Sequence, residues 1–164
     1  MKFAKSTVQT NYDSPLGRII LAATDDKLAG VWFDGQRHQP DTSTWPCVTD
    51  HPVLQQAITQ LSDYFSGQRT SFELPLDLSN GTPFQQNVWQ AMLKIPAGAT
   101  LTYGALSAML GQPTAVRAVG GAVGRNPLSI IVPCHRVVGA NGALTGYAGG
   151  LERKTALLQL EGPH

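Results

Sequence analysis

Four consecutive residues, Pro133-Cys134-His135-Arg136, close the apolar run Leu128 to Val132. Buried runs usually end in a turn and polar filler. This one ends in a thiol, an imidazole and a guanidinium. A cysteine attacks as its thiolate, and a neighbouring imidazole can take the thiol proton or stabilise the anion. Pro133 lacks a backbone donor and fixes its own φ, so it is expected to stop a strand where Cys134 is presented. On a regular strand Cys134 and His135 would face opposite ways. Cooperation between them requires a sharp turn here. A buried structural cysteine beside a surface histidine is the competing reading of these four residues. A carboxylate stands further on. Glu161 follows a helix predicted over Leu151 to Leu160, which Gly162-Pro163 stops. A helix C-terminus disfavours an anion, and Glu161 lies one turn after Leu157 and Leu158, on their inward side. It needs a partner, and His135 and Arg136 are the candidates. Cys134, His135 and Glu161 then read as nucleophile, base and orienter. A Glu161 carboxylate on His135 would favour the protonated imidazole, and through it a Cys134 thiolate.

The elements that must position these groups follow from the pattern. Gly17 to Ala23 and Leu28 to Phe33 read as strands, joined by the polar turn Thr24 to Lys27. Gln36 to Asp50 reads as a loop. A helix opens at Pro52, keeps Leu54, Ile58, Leu61 and Phe65 on one face, and ends at Gly67. Ser71 to Leu78 alternates as a further strand. No chemistry is legible in this part, Cys47 included. Ser79-Asn80-Gly81 is the expected joint between residues 1–80 and 81–164.

Thr82-Pro83-Phe84-Gln85 then opens a helix, with Thr as N-cap, Pro at N1 and Gln85 in the capping-box position. Its buried face is Phe84, Val88 and Met92, continued by Ile95 and widened by Trp89. A base-stacking platform is the alternative for Phe84 and Trp89. Thr102 to Leu110 and Thr114 to Arg125, joined by Gly111-Gln112-Pro113, have the form of a helix-turn-helix. The second helix is almost bare, with Ala115, Val116, Ala118, Val119 and then Gly120-Gly121. Each glycine costs roughly 1 kcal/mol against alanine in a helix interior. Such a helix suits close approach, either to the core or to a DNA groove. Arg117 is its only long side chain before Arg125. Major-groove readers carry several polar side chains, so contact independent of base sequence is expected. Asn126-Pro127 forms a turn whose amide can cap nearby backbone. Gly146, Gly149 and Gly150 surround Tyr147 in a segment suited to a pocket wall.

The chain has 164 residues, 42% of them hydrophobic, enough for one domain or two small ones. No apolar run approaches the ~20 residues of a membrane span. The N-terminus lacks an apolar segment of signal-peptide length, so a cytoplasmic protein is expected. Cys47 and Cys134 stand far apart without a CxxC pattern, which argues against a disulfide framework and against a metal site. Residues 1–81 carry six Lys/Arg against nine Asp/Glu, and residues 82–164 six against two. The basic half holds Cys134, which points to an acidic partner such as nucleic acid.

The stretch IVPCHRVVG followed by GYAGG, with Tyr103, Arg117, Asn126, Tyr147 and Glu161 in order and spacing, resembles the active site of the O6-alkylguanine-DNA alkyltransferases. The resemblance is specific from about Gly81 to Gly162 and general before it. It implies an α/β (α+β) protein: a small ribonuclease H-like N-terminal domain, then a mainly helical domain with the helix-turn-helix and Cys134. It implies minor-groove docking through Thr114, Ala115, Val116, Gly120 and Gly121, with Arg117 inserted into the base stack. Tyr103 would turn the phosphate or donate to the base, Asn126 would tie the helix to the Cys134 segment, and a water would link His135 to Cys134. Val137, Tyr147, Ala148, Gly149 and Ser129 would line the base pocket. The Val137 and Cys134 carbonyls would accept from the exocyclic amine, and the Ala148 N–H would donate to O6. The implied reaction moves an alkyl group irreversibly from flipped O6-alkylguanine in double-stranded DNA to Cys134, with O4-alkylthymine as a second substrate. It would need no cofactor, run once per molecule and act as a monomer. Two other readings remain open. A cysteine hydrolase would need an oxyanion hole and a path for water. A silent lesion-binding module would have no use for Cys134.

Overall fold

The computed structural model describes residues 1–162. Three antiparallel strands, β1 (Val8–Ser14), β2 (Gly17–Thr24) and β3 (Lys27–Phe33), form a sheet in that order. Ile19, Leu21, Ala23, Leu28, Val31 and Phe33 enter the main core. Ile20, Ala22 and Trp32 face the other way, under Phe3 and Trp45. β1 is absent from the pattern reading because its sequence is mostly polar and its residues only half-buried.

Helix α1 (Pro52–Phe65) packs on the sheet. Its buried stripe is Leu54, Ala57, Leu61 and Tyr64, so Phe65 and Ile58 are only partly covered. This rotation carries Tyr64 inward. Ser71 to Leu78 is not a strand. It pairs with β3 through a single bridge at Leu28 and Leu76, because Pro75 supplies a carbonyl to Leu28 but has no N–H to extend a ladder.

Helix α2 (Pro83–Met92) starts on the expected reciprocal cap. Thr82 Oγ1 accepts from the Gln85 N–H, and Gln85 Oε1 accepts from the Thr82 N–H. Trp89 is fully buried and donates its indole N–H to Ala122 O at 2.8 Å. It therefore ties α2 to the helix-turn-helix and is no stacking platform. That unit is α3 (Tyr103–Met109) and α4 (Val116–Gly124). α4 starts later than the sequence suggests. Thr114 lies outside it, and Ala115 is an N-cap with no side-chain oxygen. Short strands β4 (Leu101–Thr102) and β5 (Val137–Val138) pair in parallel, and α5 (Leu151–Glu161) closes the chain.

One hydrophobic core runs from the sheet through α1, α2 and α4 to Cys134 and Leu157. The fold is thus mixed α/β, a small sheet unit followed by a helical unit. Among the described residues no helix is long and apolar enough to cross a membrane.

Candidate active site

The run before the cysteine is not a strand either. Leu128 makes one bridge to Val31, held by Val31 N–H to Pro127 O and Ser129 N–H to Val31 O. The chain then turns at Ile130, whose φ of +73° is one that β-branched residues rarely adopt. The Asn126 amide fixes this loop from within. Its Nδ2 donates to Val132 O at 2.8 Å and its Oδ1 accepts from the Leu128 N–H at 2.9 Å. The end of α4 is thereby fastened to the cysteine segment, as the Asn-Pro pair suggests.

Cys134, His135 and Arg136 form a single turn of 3-10 helix after Pro133. Successive side chains then lie about 120° apart, not on opposite faces. This is the sharp turn that cooperation requires. All three side chains are buried, Cys134 at 5% exposure and His135 at 0%.

Glu161 reaches this turn from α5 with a fully buried carboxylate. Its Oε2 accepts from His135 Nε2 at 2.7 Å, from Arg136 at 2.8 Å and from the Tyr64 hydroxyl at 2.6 Å. Its Oε1 accepts from Arg136 Nε at 2.8 Å. Arg136 also donates to Ile95 O. Burial pushes the Glu161 carboxyl up, but the bonds from His135, Arg136 and Tyr64 outweigh it and hold the pKa at about 2. A carboxylate at that value is an acceptor, so His135 Nε2 carries the proton. Nδ1 is left as the basic nitrogen, buried and without a protein hydrogen-bond partner.

The resting charges differ from the sequence expectation. Burial lowers the His135 pKa more than Glu161 raises it, with Arg136 and Lys154 also lowering it. Burial raises the Cys134 pKa, partly offset by the Asn126 amide and the Lys154 ammonium. The pair therefore rests as neutral imidazole and thiol, not as imidazolium and thiolate. The reason is burial, which disfavours both charged forms and outweighs what Glu161 gives His135.

Two contributors were not singled out from the sequence. Tyr64 comes from the first half, and no local pattern links it to Glu161. Lys154 is fully buried and donates to Val137 O at 2.6 Å and Thr145 O at 2.9 Å. It stands seven residues before Glu161, on the Leu157 and Leu158 face of α5, and helical spacing could have revealed it.

Beside Tyr103 and Tyr147 opens a cavity of about 350 Å³, within the ~300–1,000 Å³ range of small-molecule sites. Tyr103, Gly120, Gly121 and Gly124 line one side, and Gly146, Tyr147 and Ala148 another. Arg37, His38 and Arg125 complete it. The Tyr103 ring lies against Gly120, where an added Cβ would come within 3.8 Å. Nothing stands within 4 Å of such a Cβ at Gly121 or Gly124. Burial and then Cys134 raise the pKa values of both Tyr103 and Tyr147, so the thiol lies near both phenols. The Tyr147 hydroxyl is buried without a protein partner.

The other predicted residues fall out as follows. Arg117, Thr114 and Val116 are exposed on and before the first turn of α4, with Ala115 half-buried beside them. Val137 is buried, with its carbonyl bonded to Lys154 rather than lining the cavity. Gly149 packs between Tyr147 and Phe33, where a Cβ would clash with both. Ser129 is not a pocket wall. Its hydroxyl turns to Gln36 Oε1 of the first half at 3.3 Å, because the turn at Ile130 reverses the chain there. Among the described residues no cluster of His, Cys, Asp and Glu could hold a metal.

A buried thiol, a histidine with its tautomer fixed by a carboxylate and a bare-faced helix-turn-helix above them define a cysteine-centred enzyme. Residues 83–163 match the DNA-binding domain of 6-O-methylguanine DNA methyltransferase, and residues 7–78 match its ribonuclease-like domain. The methylated-DNA–protein-cysteine methyltransferase of Mycobacterium leprae is 48% identical over 149 residues, 91% of this chain and 88% of its own. The constitutive one of Bacillus subtilis is 46% identical over 159 residues, 93% of each chain. The crystal structure of Mycobacterium tuberculosis O6-methylguanine methyltransferase has a TM-score of 0.86 at 46% identity, covering 94% of this chain and 92% of that one. Mycobacterium tuberculosis OGT in complex with DNA gives the same TM-score. The chain belongs to the 6-O-methylguanine DNA methyltransferase family, whose members are DNA-repair enzymes.

Proposed function

We propose that this protein repairs duplex DNA by moving the alkyl group of O6-alkylguanine to Cys134 Sγ. One observation carries the reading. The nucleophile is 5% exposed and lies near Tyr103 and Tyr147, which line a cavity walled by the glycines of α4. A base inside a duplex cannot reach such a thiol, so it must leave the stack. His135 Nδ1 takes the thiol proton, directly or through one water. Sγ attacks the alkyl carbon, and the carbon–oxygen bond breaks. The guanine leaves as an anion that takes a proton from water, the proton on His135 Nδ1 returns to solvent, and the Tyr103 hydroxyl donates a hydrogen bond to the departing base. The resulting thioether has no leaving-group route back, so each molecule acts once. The mycobacterial structure with DNA supports the choice of partner. We place the division of labour near residues 80–81. A stoichiometric experiment tests the reading. With excess duplex bearing one O6-methylguanine, restored guanine should rise to one per protein and stop. Continued turnover would make the protein a catalyst of another kind.

Arg117 is exposed at the start of α4. Arg117→Ala should slow repair in duplex DNA far more than attack on free O6-alkylguanine, since only the duplex has a gap to fill, at a few kcal/mol. Equal losses on both substrates would assign Arg117 to chemistry or folding.

The Tyr103 hydroxyl makes only long contacts, 3.3 Å to Gly146 O and 3.5 Å to Thr145 O, and is free to be re-aimed. Tyr103→Phe should cost on the order of 1–3 kcal/mol in the transfer step. Tyr103→Ala should cost more, because the ring against Gly120 also goes. Single-turnover rates compare them, and identical losses would contradict the double role.

A further inference from the structure

The first half of the chain reaches the cavity through one loop after β3. Its Arg37 and His38 face Arg125, which follows the last turn of α4. All three residues are exposed, and His38 Nδ1 stands 3.5 Å from an Arg125 guanidinium nitrogen. The loop is held for this placement. The Arg37 N–H donates to Ala148 O at 3.1 Å. Gln36 is buried and accepts from both the Phe33 N–H and the Ser129 hydroxyl. His38 sits at a φ of +61°, which non-glycine residues rarely adopt.

Among the described residues the cluster has no paired counter-charge. The ion pairs among the described residues join Arg69 to Asp63, and His135 and Arg136 to Glu161. No carboxylate of the described residues pairs with Arg37, His38 or Arg125. Two guanidiniums gathered at one mouth beside an imidazole repel each other, and a guanidinium pair is suited to forked hydrogen bonds with phosphate oxygens. From Arg117 to Arg125 the helical rise is about 12 Å. A duplex laid on the glycine face of α4 would therefore span both ends.

We propose that Arg37, His38 and Arg125 form a phosphodiester-binding rim, through which the first half of the chain grips the DNA beside the opened base. The inference rests on the DNA-repair reading of the same cavity. It gives the first half a direct part in binding, where the sequence shows no legible chemistry. The charged groups facing the His38 ring are Arg37 from its own loop and Arg125 from α4, and Tyr103 and Tyr147 line the same cavity. Burial and the two arginines hold the free ring's pKa low. A phosphate in the rim reverses the arginines' effect, so the ring takes up a proton when DNA binds.

The test uses the full chain with Arg37→Gln and Arg125→Gln together, both side chains being exposed. Binding to an unmodified duplex is followed against salt, and the His38 ring is followed by NMR through a pH titration with and without DNA. Each lost phosphate contact removes about 0.9 from the slope of log K on log salt. The double variant should therefore lose about two units of slope, and its loss of rate on duplex O6-alkylguanine should exceed any loss on free O6-alkylguanine. In the wild type the His38 midpoint should rise with DNA and stay put with inorganic phosphate at the same ionic strength. An unchanged slope with an unmoved His38 would overturn the rim. An equal response to inorganic phosphate would make it a general anion site and also overturn it. If Cys134 of the wild type takes no alkyl group from either substrate, the repair reading fails, and the salt slope still reports on the rim.

Discussion

Glu161→Gln is expected to lose roughly 3 kcal/mol of stability at neutral pH and about a hundredfold in transfer rate. The stability follows from linkage. The carboxyl falls from 4.5 to about 2 on folding, and each unit is about 1.36 kcal/mol. The folded value is the lower one, so the stabilisation is full above pH 4.5 and disappears as pH falls through about 2. The figure agrees with the loss of about 3–5 kcal/mol when a buried pair is broken, since Arg136 is left without its anion. For a chain of this size the melting temperature should drop by about 6–12 °C at pH 7, with the gap closing in acid. The rate follows from the base. Glutamine no longer fixes the proton on His135 Nε2, and the uncompensated Arg136 weakens Nδ1 further. General bases contribute about 10²–10⁴-fold. Burial holds the Cys134 thiol above its ordinary value. The variant should therefore regain rate only above the usual thiol pKa of ~8.5, while the wild type stays flat from near neutrality. Single-turnover rates from about pH 6 to 9.5, a span bracketing that value, compare the two. Parallel profiles with an unchanged melting temperature would mean that Glu161 does not act on the His135–Cys134 pair.

Cys134→Ser should abolish transfer altogether and leave the fold and DNA binding in place. Serine is close in size, but its hydroxyl ionises far less readily than a thiol. The burial that already raises Cys134 would raise it further. Cys47→Ser should change nothing in transfer, since Cys47 is exposed in a loop bridged to Gln9. Transfer surviving in Cys134→Ser, assayed with labelled duplex, would contradict the assignment.

The parts of the site legible in sequence were those with local cause. The capping box at Thr82 and Gln85, the bare helix after Thr114 and the turn forced by Pro133 all follow from neighbours in the chain. Glu161 was legible because an anion at a helix C-terminus on a buried face needs a partner. What escaped depends on contacts between distant segments. Tyr64 meets Glu161 across 97 positions. Ser129 turns away from the cavity because the chain reverses at Ile130, a φ that no propensity predicts for isoleucine. The strands expected over Ser71 to Leu78 and Leu128 to Val132 dissolve for a related reason. Alternation and apolarity were present, but Pro75 and the Ile130 turn left a single bridge each. The charge state of the Cys134–His135 pair is not legible in sequence because it depends on how deeply the fold buries both groups, while Arg136 shares the carboxylate with His135.

The central claim is that Cys134 accepts the alkyl group. The most direct measurement mixes the full chain with duplex DNA carrying isotope-labelled O6-methylguanine, digests the protein and locates the label by peptide mass. The account predicts one labelled methyl on Cys134 per molecule, none on Cys47 and guanine restored in the DNA. Label on any other residue, or restored guanine without label on the protein, would contradict it.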